Sequence, residues 1–101
     1  MSLESIETKI QSKMALAMGF DATVKFDFKD DGAIYVDTTQ TPPVITRDDI
    51  GDTDLTIITS IETLEKIMDG AQDPNIAFMM GKLKVKGNMG LAMKLNGILE
   101  D

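Results

Sequence analysis

Apolar positions change period along this chain, and the changes mark its elements. Residues 2–18 place Leu3, Ile6, Ile10, Met14 and Ala17 at helical intervals, with Glu4, Glu7, Lys9 and Lys13 on other faces. This spacing predicts an amphipathic helix, capped by Ser2 and ended by Gly19. Residues 23–29 then alternate strictly between polar and apolar side chains, the period-two pattern of a strand with one buried face. Asp31-Gly32 is a hairpin signal, and residues 33–38 return as a second strand. A two-residue loop would set Phe28 opposite Tyr35, and a bulge would shift that register.

Thr41-Pro42-Pro43 interrupts the sheet, so residues 44–47 predict a short edge strand. After an acidic connector over 47–54, residues 54–59 carry Leu55, Ile57 and Ile58 on both faces, which predicts a central strand. Thr59-Ser60-Ile61-Glu62 fits a capping box, and Ile61, Leu64, Ile67 and Met68 form one stripe of the helix that follows, up to Gly70. Asp73-Pro74 predicts an N-cap with proline in the first turn of a short helix running to Met80, ended by Gly81. Residues 82–86 form a fifth strand with Leu83 and Val85 inward. Gly87 turns the chain, and Asn88 caps a last helix to about Leu99.

The order helix-β-β-β-β-helix-helix-β-helix, led by a hairpin, indicates an α+β fold with a five-stranded, mostly antiparallel sheet covered by helices. A length of 101 residues predicts one domain over 1–101, with room for one core and little more.

The absence of cysteine and histidine removes disulfides, Cys/His zinc sites, His-based general bases and Ser-His-Asp triads. No carboxylate pair marks an acid–base couple, so no catalytic residues are assigned and the chain is not expected to be an enzyme. Asp48, Asp49, Asp52 and Asp54 lack the spacing of a calcium loop and read as a solvated connector, so neither metal nor cofactor is expected. The formal net charge of −7 argues against nucleic acid. That charge is uneven: residues 1–81 hold 6 basic and 15 acidic side chains, whereas 82–101 hold 4 and 2. No apolar run is long enough to span a bilayer, residues 1–5 do not form a secretory signal, and residues 99–101 are not a peroxisomal tripeptide, so a cytoplasmic location is expected.

Residues 78–95 stand out, with four methionines set around the Lys82-Leu83-Lys84-Val85-Lys86 strand. In the last helix, Met89, Leu91, Ala92, Met93, Leu95, Ile98 and Leu99 cover most of the circumference. Such a helix is buried all round or shields a cavity, and methionine suits a surface that adapts to varied apolar ligands. Lys82, Lys84 and Lys86 read either as a solvated edge protected against aggregation or as a basic patch for anionic head groups. Phe26, Phe28 and Tyr35 read as core packing between sheet and helices, or equally as one wall of a cavity.

Along nearly its whole length the chain resembles the sterol carrier protein 2 domain family. The resemblance is carried by Asp54-Leu55-Thr56-Ile57 with the capped helix after it, by residues 74–78, and above all by Gly81-Lys82-Leu83-Lys84-Val85-Lys86-Gly87-Asn88-Met89. Val24, Phe26, Phe28 and Gly32 fit the N-terminal half more loosely. The resemblance implies an apolar tunnel between the sheet and the C-terminal helices, a movable C-terminal wall, and non-enzymatic carriage of sterols, fatty acyl chains, acyl-CoA or phospholipids. Lipid contacts are then implied at Leu83, Val85, Met89, Met93 and Ile98, with Phe78 and Met79 nearby. Phe26, Phe28, Tyr35, Ile57, Leu64 and Met68 complete the candidate lining, and Lys82, Lys84 and Lys86 are the candidate head-group contacts. An acidic domain without fusion partners resembles bacterial members, for which acyl chains, phospholipids or isoprenoid quinones are better cargo than sterols. Implied partners are a lipid or fatty acyl ligand, a membrane in transient contact, and a partner protein. The second reading is a protein-interaction or accessory module in a lipid or isoprenoid-quinone pathway.

Overall fold

The protein is described by a computed structural model covering residues 2–15 and 19–100. Helix α1 spans Leu3–Met14. The Ser2 side chain accepts the Ser5 N–H at 3.1 Å, which satisfies one of the donors left free at a helix start. Ile6, Ile10 and Met14 are its buried stripe. The expected last turn, with Ala17, lies outside the described residues.

Five strands follow in part: β1 (Thr23–Asp27), β2 (Ala33–Asp37), β3 (Val44–Thr46), β4 (Leu55–Thr59) and, after two helices, β5 (Leu83–Gly87). Their order in the sheet is β3-β2-β1-β4-β5, and only β1 and β4 run parallel. The expected α+β order and the edge position of the proline-flanked strand agree with this arrangement. The apolar fourth strand sits inside the sheet, between β1 and β5.

The hairpin register differs from the two-residue expectation. Asp27 pairs with Ala33 and Lys25 with Tyr35, so Phe28 lies opposite Gly32, whose carbonyl accepts its N–H at 2.9 Å. The loop is a 3₁₀ turn over Lys29–Asp31, held by the Asp27 carboxylate accepting the Lys29 N–H at 2.8 Å. Phe28 shares a face with Phe26 by the period of the strand, with ring centroids 6.5 Å apart. Tyr35 falls on the opposite face because side chains alternate across the pleat. It is buried there under Lys25, whose ammonium lies 5.6 Å from the ring centroid. Tyr35 therefore does not share the wall formed by Phe26 and Phe28.

Helix α2 (Ile61–Met68) buries all four residues of its expected stripe. Its cap is one residue later than the sequence suggests. Ser60 accepts the Thr63 N–H at 3.0 Å, while Thr59 remains in β4 and donates its hydroxyl to the Lys82 carbonyl at 2.9 Å. That strand contact claims Thr59 and moves the cap to Ser60. Helix α3 (Pro74–Met79) starts as expected, with Asp73 accepting the Asn75 N–H at 2.7 Å. Helix α4 (Met89–Leu99) starts with Asn88 accepting the Leu91 N–H at 3.2 Å.

One sheet face, carrying Val24, Phe26, Phe28, Ile34, Leu55 and Ile57, forms a single apolar cluster with α1, α2 and α4. Lys9 of α1 ties the helices together across α2, reaching Asp69 at 3.1 Å and Glu65 at 3.5 Å. The 47–54 connector joins β3 to β4, and its Thr53 hydroxyl comes within 3.4 Å of that of Thr56, on the face opposite the helices.

Candidate functional site

The unit α3–β5–α4 is built on two glycines with positive φ. Gly81 (φ 76°) ends α3 and starts the strand, and Gly87 (φ 110°) turns it into α4. At Gly87 a side chain is excluded twice. The backbone conformation disfavours an L residue, and a Cβ there would overlap the Asp54 carbonyl oxygen. The turn thus pins the start of α4 against β4.

The candidate lining separates into two groups. Phe26, Phe28, Ile57, Leu64, Met68 and Leu83 are buried in the cluster between sheet and helices. Val85 and Ile98 are partly buried against it. Phe78, Met79, Met89 and Met93 face outward, exposed by 47%, 83%, 51% and 73%. Ile76 and Met80 join this exposed group. Sequence reasoning passed over both, although a six-residue helix with only Pro74 and Ala77 buried leaves its other apolar side chains nowhere to go. Helix α4 has the same division, with Ala92, Leu95 and Leu99 inward and Met89 and Met93 outward. Tyr35 belongs to neither group, because it lies behind the sheet.

The three candidate head-group lysines do not all stand together. Lys84 and Lys86 project from the face of β5 opposite Leu83 and Val85, and they pair with Ile58 and Thr56 of β4. Lys82, one residue before the strand, borders a groove shared with Lys29 and Lys66. No local pattern announces this grouping, because the three lysines come from a turn, a helix and a strand end.

Among the described residues no group of carboxylates is arranged to hold a metal ion. In the acidic connector, Asp54 accepts both the backbone N–H and the hydroxyl of Thr23, at 3.1 and 3.3 Å, and Asp49 accepts the Gly51 N–H at 2.8 Å. These carboxylates organise turns. Among the described residues, two ionisable groups depart from their ordinary range. Asp37 is held low by hydrogen bonds from the side chains of Thr39 and Gln40 and from the Thr39 N–H. Lys9 is raised, chiefly by its hydrogen bond to Asp69. Asp37 thereby holds the turn after β2, and Lys9 joins α1 to the end of α2.

The family model of the SCP-2 sterol transfer family matches residues 3–100. The chain belongs to that family. Bovine sterol carrier protein 2 is 49% identical over 45 residues, a stretch covering 45% of this chain and 8% of the bovine protein. The match thus spans a small part of that relative's length. Sterol carrier protein 2 like 2 from Aedes aegypti has the same fold, with a TM-score of 0.81 at 19% identity over 94% of both chains. The same mosquito protein in palmitated form gives a TM-score of 0.78 at 20% identity, covering all of this chain and 96% of that one. The ubiquinone synthesis protein UbiJ-SCP2 gives 0.73 at 14% identity, over 95% of this chain and 90% of that one.

Proposed function

We propose that residues 1–101 form a single non-enzymatic domain that binds and transfers apolar lipids. The cargo would be fatty acyl chains, acyl-CoA, phospholipid or sterol-like molecules, held in an internal cavity between the sheet and the C-terminal helices. One observation carries this reading. Met79, Met89 and Met93 are more than half exposed on helices whose inner sides cover an all-apolar cluster. An apolar surface on both sides of a wall has a use when a ligand, or the membrane that supplies it, covers the outer side for part of a working cycle. The family membership and the palmitated state of the mosquito relative support an acyl chain as cargo.

The energetics allow it. Each CH₂ removed from water contributes about 0.8 kcal/mol, so a chain of about a dozen carbons supplies roughly 10 kcal/mol before ordering costs, enough for micromolar binding. In this reading Phe26, Phe28, Ile57, Leu64, Met68 and Leu83 line the inner wall when cargo enters. Phe78, Met79, Val85, Met89, Met93 and Ile98 belong to the gate. Specificity is loose, because few polar groups fix orientation. Contact with membranes is transient; among the described residues no helix is long and apolar enough to cross one.

The second reading, an accessory or interaction module in a lipid or isoprenoid-quinone pathway, draws on the fold shared with UbiJ-SCP2. Native mass spectrometry of the purified chain, with analysis of its organic extract, separates the two. A one-to-one lipid adduct supports the carrier. A lipid-free protein that takes up no added fatty acid and recovers bound to another polypeptide supports the module and ends the carrier reading.

A further inference from the structure

At the end of the sheet where the β1–β2 turn, the start of α2 and the start of β5 meet, there is an open groove of about 340 Å³. Lys29, Lys66 and Lys82 line it, together with the N-cap Ser60, Gln72 and one acid, Glu62. In a chain with net charge −7, the lining of this groove is positive, with Asp30 and Asp31 following Lys29 in the same turn. Glu62 pairs with Lys66 at 3.1 Å, with both side chains 55% exposed, an arrangement that an incoming anion can rearrange at little cost. Neither Lys29 nor Lys82 makes an ion pair among the described residues. Lys29 also has φ near 60°, which costs a non-glycine residue free energy and holds this lysine at the tip of the turn.

The lining of the groove is polar, and its chain neighbours lead to both apolar groups of the candidate site. Lys29 follows Phe28, whose side chain is buried in the core. Lys82 follows Met79-Met80-Gly81, where the exposed side of α3 ends. An amphiphile with its head among these lysines therefore has apolar surface within a few residues of its first carbons. We propose that this groove is the subsite for a phosphate-bearing head group, and that it biases the carrier toward phosphorylated amphiphiles over neutral ones. Three ammonium groups against one carboxylate leave two positive charges, which match a phosphomonoester dianion better than a carboxylate. Lys84 and Lys86, on the opposite face of β5, take no part. This inference rests on the lipid-carrier reading.

Calorimetric titration at low ionic strength tests it with decyl phosphate, 1-decanol and inorganic phosphate. The proteins are the wild type, the double variant Lys29→Gln/Lys82→Gln and the control Lys84→Gln/Lys86→Gln; all four side chains are exposed, so folding is preserved. The expected result is that decyl phosphate binds the wild type about tenfold more tightly than 1-decanol, the equivalent of about 1.4 kcal/mol. Lys29→Gln/Lys82→Gln removes that preference and leaves 1-decanol affinity unchanged, while the control keeps the preference. A preference that survives in Lys29→Gln/Lys82→Gln, or disappears in the control instead, overturns the assignment while 1-decanol binding still upholds the carrier. Inorganic phosphate binding as tightly as decyl phosphate overturns the head-group role in favour of a free-anion site. Failure of both decyl compounds to bind sinks the carrier reading as well.

Discussion

Met93 offers the cleanest perturbation, because its side chain does little for the folded protein and much for the proposed complex. It is 73% exposed on α4, while the same helix is anchored through Ala92, Leu95 and Leu99. Full burial of a methionine side chain is worth about 1.5–3 kcal/mol. With nearly three-quarters of its surface still free, covering Met93 with an acyl chain gains about 1–2 kcal/mol, or about 5- to 30-fold in Kd. Met93→Asp forfeits that gain and adds a charge that must be desolvated, so affinity for a fluorescent fatty acid should fall at least about tenfold. Folding stability should change by only about 0.5 kcal/mol, as for most exposed substitutions. Val44→Asp is the matching control: Val44 is 39% exposed, but on β3 at the far edge of the sheet, and its variant should bind like the wild type. Fluorescence titration beside a thermal melt reads both quantities. A Met93→Asp protein with an intact melt and a Kd within about twofold of wild type would refute the reasoning.

Three further outcomes follow from the structure. Gly87→Ala combines a disfavoured φ with a clash against Asp54 and should cost about 3 kcal/mol in urea unfolding; a cost below about 1 kcal/mol would mean that the turn relaxes freely. Ser60→Ala should cost about 1 kcal/mol by loss of the α2 cap, and circular dichroism melts of this variant would show no change if Thr59 were the true cap. Asp37 titrates below its ordinary range, so its hydrogen bonds stabilise the fold above the unfolded carboxylate pKa of about 3.9, and that contribution is lost as pH falls through the lower folded value. Asp37→Asn should therefore be less stable than wild type near neutral pH and converge with it in acid; a difference independent of pH would sink the assignment.

Most of the fold was legible because its signals are local. The stripes Ile6–Ile10–Met14 and Ile61–Leu64–Ile67–Met68, the Asp73-Pro74 start and the Gly81 and Gly87 stops all appear where period and punctuation put them. The hairpin register was not legible. It depends on where the turn falls, settled by the Asp27 carboxylate capturing the Lys29 N–H, and a three-residue turn over 29–31 moves the partner of Tyr35 from Phe28 to Lys25, on the other face. The cap of α2 slipped for a similar reason, since Thr59 has a partner in Lys82 that lies 23 residues away. Residue identities named the candidate lining but not its division into buried and exposed groups. Burial there is decided by how much of a short helix one small core can cover. The groove of Lys29, Lys66 and Lys82 was invisible for the most basic reason: its members are brought together only by the fold.

Helices α2 and α4 show why the C-terminal wall is the part expected to move. Helix α2 buries four large apolar side chains in eight residues and keeps Glu62 and Lys66 outside. Helix α4 is longer, yet it buries only Ala92, Leu95 and Leu99 and contains Gly90 and Gly97, each of which weakens a helix by about 1 kcal/mol relative to alanine. Beyond its first turn, its ties to α1 include a single 3.4 Å hydrogen bond from Lys13 to the Glu100 carbonyl. Lifting α4 uncovers Ala92, Leu95 and Leu99 and, in part, Leu91 and Ile98, a cost of about 5–9 kcal/mol, toward the lower end of the stability of a whole domain. Local opening is therefore expected before global unfolding. In the proposed carrier, that opening is the route by which cargo reaches Phe26, Phe28 and Leu64 without breaking the sheet. Hydrogen exchange measures it directly. Amides of α4 should exchange faster than those of α2 and β1 in the free protein, and fatty acid should slow α4 selectively. Exchange that is equally slow in all three elements, with or without fatty acid, would leave the inner cluster with no way in, and the carrier reading would have to be abandoned.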